Sequence, residues 1–358
     1  MVAKQRYTVI GVMSGTSLDG LDIARCTFER AHGKWAFKIV DARTVKYPAR
    51  WSRLLAEAHV LSSEDLIHTD VAFGQFIGEA VNKFLSGSRG RVDFIASHGH
   101  TVFHQPSRGF TYQIGNGNAI HASTGLPVVY DFRSLDVIRG GEGAPLVPVG
   151  DKFLFHNFDF CLNLGGIANI SMEQKRSRVA FDVCFCNMAL NHVAAKAGKT
   201  YDKNGNMASA GEIDSSLLKK IDRIYAALRR KRPSLGREIF ESQIRPLIEA
   251  SRLSVNDQLA TLTESAAVEI IRAIPQNLKQ GRVLCTGGGA FNSFLLTRML
   301  ERAQDRVILI VPEEQIVKFK EAVVFAFLGV LRVRDEANCL RSVTGSTQDS
   351  SGGILVGF

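Results

Sequence analysis

The first part of the chain alternates apolar runs with short polar turns, which predicts an antiparallel β-meander. The runs are rich in β-branched residues and bounded by glycine and small polar residues. The strands of this meander are predicted over 8–13, 23–29 and 35–46. Helices and short strands are predicted to follow at 50–60, 63–88, 93–97, 110–115, 118–123 and 127–132.

The second part repeats this outline about 150 residues later. A second meander is predicted over 158–164, 167–172 and 179–182. Helical spacing then predicts helices at 187–198, 212–230, 237–250, 256–274, 293–300 and 320–334, with strands at 282–286 and 307–311. The glycine-rich bend at 140–145 is typical of a domain boundary. We therefore expect domains over 1–131 and 132–358, and leave open a return of the C-terminal tail to the first domain.

Composition narrows the class of protein without assigning a function. With 358 residues and 45% apolar residues, the chain can build two buried cores. The net charge of +9 is spread out, and its densest run, 229–232, ends a predicted helix without any nucleic-acid motif. We therefore expect no nucleic-acid partner, although a basic surface suits anionic small substrates.

The six cysteines lack Cys-x-x-Cys pairing, so buried free thiols in a reducing cytosol explain them best. The N-terminus lacks the apolar core of a signal peptide, and no 18-residue apolar segment exists. These features predict a cytoplasmic protein without a membrane partner.

Three glycine-bearing loops follow predicted strands and are candidates for contact with phosphates. Glycine lets backbone N–H groups approach an anion, and serine and threonine add donors. The loops are Ser14-Gly15-Thr16-Ser17-Leu18-Asp19-Gly20, Asn163-Leu164-Gly165-Gly166 and Thr286-Gly287-Gly288-Gly289. An ordinary hairpin turn remains the alternative for the first loop alone. Because two of the loops lie on matching meanders, we expect two similar halves closing over one nucleotide. Asp19 would repel a bare phosphate, which suggests Mg²⁺ held through water.

The motifs of the whole chain resemble, in order, those of the anhydro-N-acetylmuramic acid kinase family. The matching segments are 14–22, 98–101, 131–133, 143–148, 163–170, 201–203, 286–292 and 342–345. The resemblance implies an α/β, two-domain actin-like ATPase fold (sugar kinase/Hsp70/actin), with an ATP cleft between two ribonuclease-H-like domains. It implies ATP and Mg²⁺ as cofactors, an anhydro-sugar substrate, a homodimer and a role in peptidoglycan recycling. The ATP-binding residues would be Ser14, Gly15, Thr16, Ser17, Leu18, Asp19, Gly20, Asn163, Gly165, Gly166, Gly287, Gly288, Gly289 and Asn292.

The resemblance also assigns the catalytic base to Asp182, at the end of a predicted strand. Opening a glycosidic bond usually needs two carboxylates, but here the leaving O6 can be captured by the γ-phosphoryl group of ATP, so one base suffices. Without the resemblance, a helix N-cap would be the preferred explanation of this aspartate.

The sugar site implied by the resemblance comprises polar residues of both halves: His98, His100, Thr101, Asn116, Asp131, Arg133 and Asn187. Arg133 could pair with the lactyl carboxylate of a muramic acid, or with Asp131 or Asp136 as a structural residue. His98, His100 and His104 also raise the question of a metal site, which we consider weaker for lack of further ligands. Segment 231–238 is either a lid element or a surface turn.

Three departures from the family pattern affect the predicted function. The segment Val183-Cys184-Phe185-Cys186 replaces the family's Thr-Gly-Pro-Gly before Asn187, and His100 stands where the family usually has Gln. Asn191 also stands where the family tends to carry Asp. The leading hypothesis remains a kinase that opens an anhydro sugar. The alternatives are a kinase for another sugar or polyol, and an ATP-binding sensor without sugar chemistry.

Overall fold

The computed structural model describes residues 4–15, 18–87, 90–231 and 233–358. Thr16, Ser17 and Arg232, which figured in the predictions above, lie outside these ranges. The strands are β1 (Arg6–Ser14), β2 (Gly20–Ala31), β3 (Lys34–Lys46), β4 (Phe94–Ser97), β5 (His100–Gln105), β6 (Phe110–Ile114), β7 (Val128–Tyr130), β8 (Phe160–Leu164), β9 (Ile167–Gln174), β10 (Ser177–Phe185), β11 (Gly281–Thr286), β12 (Val307–Ile310) and β13 (Ile354–Val356).

The helices confirm the long helical predictions and add short ones that the sequence pattern did not reveal. They are α1 (Ala49–Glu57), α2 (Ser63–Leu85), α3 (Gly117–Thr124), α4 (Ser134–Ile138), α5 (Val147–Leu154), α6 (Asn187–Ala195), α7 (Asn206–Ser209), α8 (Ser215–Lys231), α9 (Arg237–Ile239), α10 (Arg245–Ala250), α11 (Val255–Ala273), α12 (Ser293–Ala303), α13 (Glu314–Val333) and α14 (Arg341–Thr344). A π-helical turn, Phe240–Ile244, joins α9 to α10.

The chain divides into two compact units, one formed by Met1–Phe155 with Phe319–Phe358 and the other by His156–Lys318. The first unit contains a six-stranded sheet with the order β13-β7-β4-β1-β2-β3. The β1–β2–β3 meander is antiparallel, whereas β4 runs parallel to β1 and β7 runs parallel to β4.

Alternate residues of β1 face two different layers of the first unit. Ile10 and Val12 join a buried cluster with Phe73 and Ile77 of α2. On the other face, Gly11 lies against α13, because a Cβ at this glycine would overlap the carbonyl oxygen of Ala322. Side chains alternate along a strand, so the same β1 segment packs against helices on both faces.

The division between the units comes later than the boundary expected at residue 131. Helix α5 packs beside β3 and α13 of the first unit, with the Phe155 ring 5.3 Å from that of Phe37. A Cβ at Gly150 of α5 would lie 3.0 Å from Cγ1 of Val324. The glycine-rich bend at 140–145 therefore lies inside the first unit, which the tail from Phe319 onward also joins.

The second unit contains a five-stranded sheet with the order β10-β9-β8-β11-β12. Here again a meander, β8–β9–β10, is antiparallel, while β11 runs parallel to β8 and β12 runs parallel to β11. Apolar residues of β8, β10 and β11 form one core with helices α6, α8, α11 and α12. All six cysteines are buried and free, as the sequence predicts. Among the described residues, no helix is both long enough and apolar enough to cross a membrane.

Substitution of Gly11 tests the packing of α13 on β1. We expect Gly11→Ala to lower the free energy of unfolding by about 3 kcal/mol or more, because the methyl group would meet backbone that cannot move locally. Gly166→Ala is the matched control, since its Cβ would meet only Met188 carbons at 3.8 and 3.9 Å. Urea unfolding of both variants provides the measurement, and equal losses in both would contradict the packing described here.

Candidate active site

The first glycine loop begins at Ser14, whose hydroxyl is already bound within the protein. The Tyr47 hydroxyl donates to Ser14 Oγ at 2.8 Å, and Ser14 Oγ lies 3.0 Å from His100 Nδ1. His100 also hydrogen-bonds to the backbone of Leu55, and burial lowers its pKa. His100 therefore forms hydrogen bonds with the protein and supports the first glycine loop through Ser14.

The rest of this loop combines tight backbone with carboxylates. Leu18 has a φ of 57°, and its N–H lies 3.5 Å from the carbonyl oxygen of Gly15. Asp19 is exposed, whereas burial raises the pKa of Asp22, opposed by the Thr44 hydroxyl, which donates to its Oδ1 at 2.5 Å. The nearby Asp19 charge raises the pKa of Asp22 further. Two carboxylates thus lie close together at the end of the loop.

Arg133 and His98 form one buried polar arrangement in the first unit. Nδ1 of His98 lies 2.9 Å from the Gly99 carbonyl oxygen, so Nδ1 carries the proton and Nε2 accepts from Arg133 Nε at 2.9 Å. Arg133 Nη1 also donates to the Gly143 carbonyl oxygen at 2.6 Å. Burial and the Arg133 charge lower the pKa of His98 well below its ordinary value. Both ring nitrogens of His98 are therefore used within the protein.

Asp136, considered from the sequence only as a possible partner of Arg133, joins two of the family motifs. Its Oδ2 accepts from the Gly143 N–H at 2.8 Å, and its Oδ1 accepts from the Thr344 hydroxyl at 2.9 Å. The carboxylate is buried, so these donors replace the water that it lost. Nothing in the local sequence pattern indicated that segments 143–148 and 342–345 meet there.

Asn116 and Asp131 are also engaged in local structure. Asn116 caps α3 by accepting from two backbone N–H groups, and Asp70 of α2 accepts from the Gly115 N–H at 2.7 Å and from the Asn116 amide at 3.2 Å. Asp131 has a φ of 55° and accepts from the Ser134 hydroxyl at 2.6 Å. Asp70 was not predicted from the sequence, because nothing in α2 marks it apart from other helix-surface acids. Thr101 follows His100 in β5 and pairs with Gln113.

In the second unit, the end of β8 lies against the third glycine loop. A Cβ at Gly287 would lie 2.6 Å from Asn163 Oδ1 and 2.9 Å from the Leu164 carbonyl oxygen. One at Gly289 would also lie 2.9 Å from that oxygen, so neither position accepts a side chain. The two loops predicted separately from the sequence thus meet in the structure, with backbone directly against backbone.

Asn187 connects the same loops to helix α6. Its amide donates to the Leu164 carbonyl oxygen at 3.0 Å, and its N–H donates to the Gly165 carbonyl oxygen at 3.1 Å. The Gly166 carbonyl oxygen accepts from Met188 N–H at 3.0 Å. Asn187, which the sequence analysis assigns to the sugar, is therefore part of the framework that holds the second and third glycine loops.

A cavity of about 480 Å³ opens beside these loops, within the size range of small-molecule sites. Gly288 and Gly289 form part of its lining, as do Asn187 and Asn292. Asn292 also caps α12 by accepting from the Leu295 N–H at 3.0 Å. The remaining lining residues include Asn191, Tyr201, Asp202, Lys203, Phe291, Glu314 and Lys318. The family motif at 201–203, whose role the sequence does not indicate, thus contributes to this cavity.

Asp182 lies in β10, and its carboxylate is directed at the segment that follows α8. Its Oδ2 accepts from the Leu235 N–H at 2.8 Å, with the Ser234 hydroxyl at 3.5 Å. Burial raises the pKa of Asp182, and these two donors oppose the rise. A raised pKa makes the ionised carboxylate a stronger base, while the two donors favour its ionised form. Asp182 caps no helix, in contrast to the simpler alternative considered above.

No cluster of three or more His, Cys, Asp or Glu side chains suited to a metal ion occurs among the residues that the structure describes. His104 lies 3.1 Å from the Thr111 hydroxyl, and burial lowers its pKa. The three histidines of segment 98–104 thus bind protein partners individually.

Two mixed sheets, each opening with an antiparallel meander, and glycine loops at strand ends define the class: an α/β actin-like ATPase fold. A family model described as anhydro-N-acetylmuramic acid kinase matches residues 7–357. The chain is 31% identical over 367 residues to the enzyme of that name from Sulfurimonas denitrificans, with 97% of this chain and 98% of the relative covered. It is 33% identical over 375 residues to that from Mannheimia succiniciproducens, covering 98% and 99%.

The chain belongs to the anhydro-N-acetylmuramic acid kinase family. This membership confirms the predicted fold class and the predicted enzyme class, a phosphotransferase coupled to opening of an anhydro ring. Among solved structures, the activator of the 2-hydroxyisocaproyl-CoA dehydratase from Clostridium difficile with bound ADPNP is 15% identical. The match covers 91% of this chain and 97% of the activator chain, with a TM-score of 0.39.

Removal of the Asp136 carboxylate tests its connection of the two motifs. We expect Asp136→Ala to cost about 3 kcal/mol in the free energy of unfolding, because Gly143 N–H and the Thr344 hydroxyl lose a buried acceptor. Asp136→Asn should cost less than half as much. Its amide oxygen still serves Gly143, and the Thr344 hydroxyl can turn to the Leu340 carbonyl oxygen, 3.3 Å away. Urea unfolding measures both, and equal losses would contradict this account.

The pH dependence of stability tests the environment of His98. Its pKa in the folded protein is well below 6.5, so below pH 6.5 the unfolded chain takes up a proton that the folded protein does not. Stability due to neutral His98 is therefore present above about pH 6.5 and lost as the pH falls, by up to about 1.4 kcal/mol per pH unit. We expect His98→Gln to flatten the fall between pH 7 and 5, measured by urea unfolding. The exposed His68→Gln is the control, and identical pH slopes in wild type and His98→Gln would refute the assignment.

Proposed function

We propose that this chain transfers the γ-phosphoryl group of ATP to O6 of 1,6-anhydro-N-acetylmuramic acid while water opens the anhydro bond. The products are N-acetylmuramic acid 6-phosphate and ADP, which is a step of peptidoglycan recycling. The observation that carries this proposal is the environment of Asp182, because a half-buried carboxylate with one oxygen held and a raised pKa suits a general base.

In this mechanism Asp182 removes a proton from the water that attacks the anomeric carbon. The bond from that carbon to O6 breaks, and O6 takes up the phosphoryl group instead of a proton. A second carboxylate, which glycosidases use as the acid, is then unnecessary. Phosphoryl transfer itself depends on alignment and on neutralisation of charge rather than on further acid–base groups.

The three glycine loops are the proposed ATP-binding elements. In the second unit, the close approach of Gly287 and Gly289 to Leu164 supports this role, as does the adjacent cavity. Backbone N–H groups and helix N-termini are suited to phosphate, and α12 begins directly after this loop. In the first unit, Gly15 and Gly20 remain the proposed contacts, whereas Ser14 would support the loop through His100 and Tyr47.

Arg133, Asp131, His100 and Thr101 remain the proposed sugar-site residues of the first unit. The contacts of His98, Asn116 and Asn187 favour positioning roles for these three. Among the described residues, Nη2 of Arg133 has no hydrogen-bond partner, and the charged guanidinium suits an anionic group of the sugar.

Mg²⁺ is the proposed metal, with Asp19 holding it through water. The proximity of Asp19 to Asp22 fits a divalent cation, because two neighbouring carboxylates are relieved by it, and hard oxygen ligands are those that Mg²⁺ prefers. When bound, Mg²⁺ would neutralise charge on the phosphates of ATP. We also propose a homodimer and, since the reaction consumes ATP, a cytoplasmic location.

Substitution of the proposed base provides the central test. We expect Asp182→Asn to lower kcat at least about 10³-fold while ATP still binds, since the amide cannot accept the proton. The assay is ADP release with and without the anhydro sugar, with mass spectrometry of a product that has gained phosphate and one water. Asp305→Asn, an exposed aspartate of the same unit, is the control. Full turnover by Asp182→Asn would overturn the proposal.

A further inference from the structure

The strand that carries Asp182 departs from regular pairing at the catalytic position. In β10, Asp182 pairs with Asn169 and Cys184 pairs with Ala168, so Val183 is an extra residue that forms a β-bulge. A bulge bends its strand and redirects the side chains beside it. The segment in which this chain departs from its family therefore coincides with the irregularity that aims the carboxylate.

The departing residues face the interior of the second unit. Val183, Cys184, Phe185 and Cys186 are all buried, and the Phe185 ring packs edge-on at 5.5 Å from that of Phe240. The Phe185 N–H donates to the hydroxyl of Tyr225 in α8 at 3.0 Å. These bulky residues thus fill the core beneath the bulge. The Tyr225 hydroxyl of α8 accepts from the backbone N–H of Phe185, which ends the strand.

Residues 234 and 235, which follow α8 along the chain, contact Asp182 at the start of the bulge. Leu235 N–H donates to Asp182 Oδ2 at 2.8 Å, while the Leu235 side chain is buried in the core of the unit. Burial fixes this N–H in place, so the donor does not depend on an exposed, mobile side chain. Ser234 contributes a longer contact of 3.5 Å. Both contacts are made to Oδ2 of Asp182, which leaves Oδ1 for the attacking water.

Charged groups close to Asp182 are paired with one another. A cavity of about 130 Å³ beside it is lined by Arg229 of α8 and by Glu269 and Arg272 of α11. Arg229 forms an ion pair with Glu269, and Arg272 Nη1 lies 2.7 Å from Glu269 and 2.7 Å from Asp222. Because these charges are mutually compensated, the direct hydrogen bonds from segment 234–235 are the contacts that act on the carboxylate.

We infer that helix α8 and the segment after it form a positioning clamp for the base, in which the Leu235 N–H orients the Asp182 carboxylate and the Tyr225 hydroxyl holds the adjoining backbone. This inference rests on the proposed function, in which Asp182 is the base. The clamp explains how a chain without the family's Thr-Gly-Pro-Gly segment keeps its base in place: side-chain packing and the α8 contacts replace the constraint of glycine and proline backbone. Leu235 and Tyr225 are positioning residues, since they act through Asp182.

The N–H of Leu235 can be removed alone by incorporating the α-hydroxy acid analogue of leucine, which makes residue 235 an ester. The carboxylate then loses a donor that favours its charged form, so the acid limb of the kcat–pH profile should move up by about one pH unit. On the acid limb, where kcat follows the deprotonated fraction of Asp182, we expect kcat to fall by up to about tenfold and to recover toward wild type at pH 9, with the KM for ATP unchanged. A merely structural defect would not be rescued by high pH.

The same ester at Leu296 is the matched control, because it removes a backbone bond, to the Asn292 carbonyl oxygen at 3.1 Å, away from Asp182. Ser234→Ala should shift the acid limb in the same direction but less. Tyr225→Phe should lower kcat about tenfold at every pH without moving the acid limb. The substitution releases the backbone at Phe185 beside the bulge but leaves the Leu235 donor intact.

The outcomes separate this inference from the proposed function. Turnover by Asp182→Asn would refute the base itself, whatever the other variants do. If Asp182→Asn is inactive but the Leu235 ester has the acid limb of the Leu296 ester, the orienting role of Leu235 is wrong. If the folded Tyr225→Phe variant has the kcat of wild type, the Tyr225 hydroxyl does not position the base, and the role inferred for Tyr225 is wrong. The Leu235 ester and Tyr225→Phe are tested independently, so if one of them fails to fold, the other still tests the clamp.

Discussion

The close backbone contact between the end of β8 and the third glycine loop is the constraint on which the second unit depends. The Leu164 carbonyl oxygen lies where side chains at Gly287 and Gly289 would have to be, and the same oxygen accepts from the Asn187 amide. One carbonyl group thus sets the distance between two loops and the start of α6. Because these glycines carry no side chain, the backbone of the third loop can approach this carbonyl group directly.

In the first unit, polar side chains connect the loops, rather than close backbone contacts at glycine. Asp136 holds the Gly143 and Thr344 segments, Asp70 holds Gly115, and Arg133 connects His98 to Gly143. Asp136 is buried, Asp70 and Arg133 are partly buried, and each has a specific partner, so shifting one loop leaves a donor or acceptor without compensation. Segments far apart in sequence are held in register in this way.

Asp182 shows how burial and hydrogen bonding are balanced at a candidate base. Burial alone would raise the pKa of this carboxyl and favour its protonated, inactive form, whereas the Leu235 N–H stabilises the anion. In the proposed role of this residue, the first effect strengthens the base and the second favours its charged form. The bulge in β10 and the aromatic packing of Phe185 against Phe240 lie next to this carboxylate along the strand.

The amino-acid sequence by itself determined the two meanders, the long helices, the glycine loops and the family, because these depend on local periodicity and on short motifs. It missed α4 and α5, which are too short for a periodic signal, and it set the domain boundary at residue 131, because a glycine-rich bend resembles a linker although α5 beyond it packs on β3. Only the tertiary structure decided which donors face Asp182, that Asp70 and Asp136 hold distant loops, and that His98 and Asn187 are engaged by the protein. These facts depend on contacts between residues distant in sequence, whose partners no local pattern encodes.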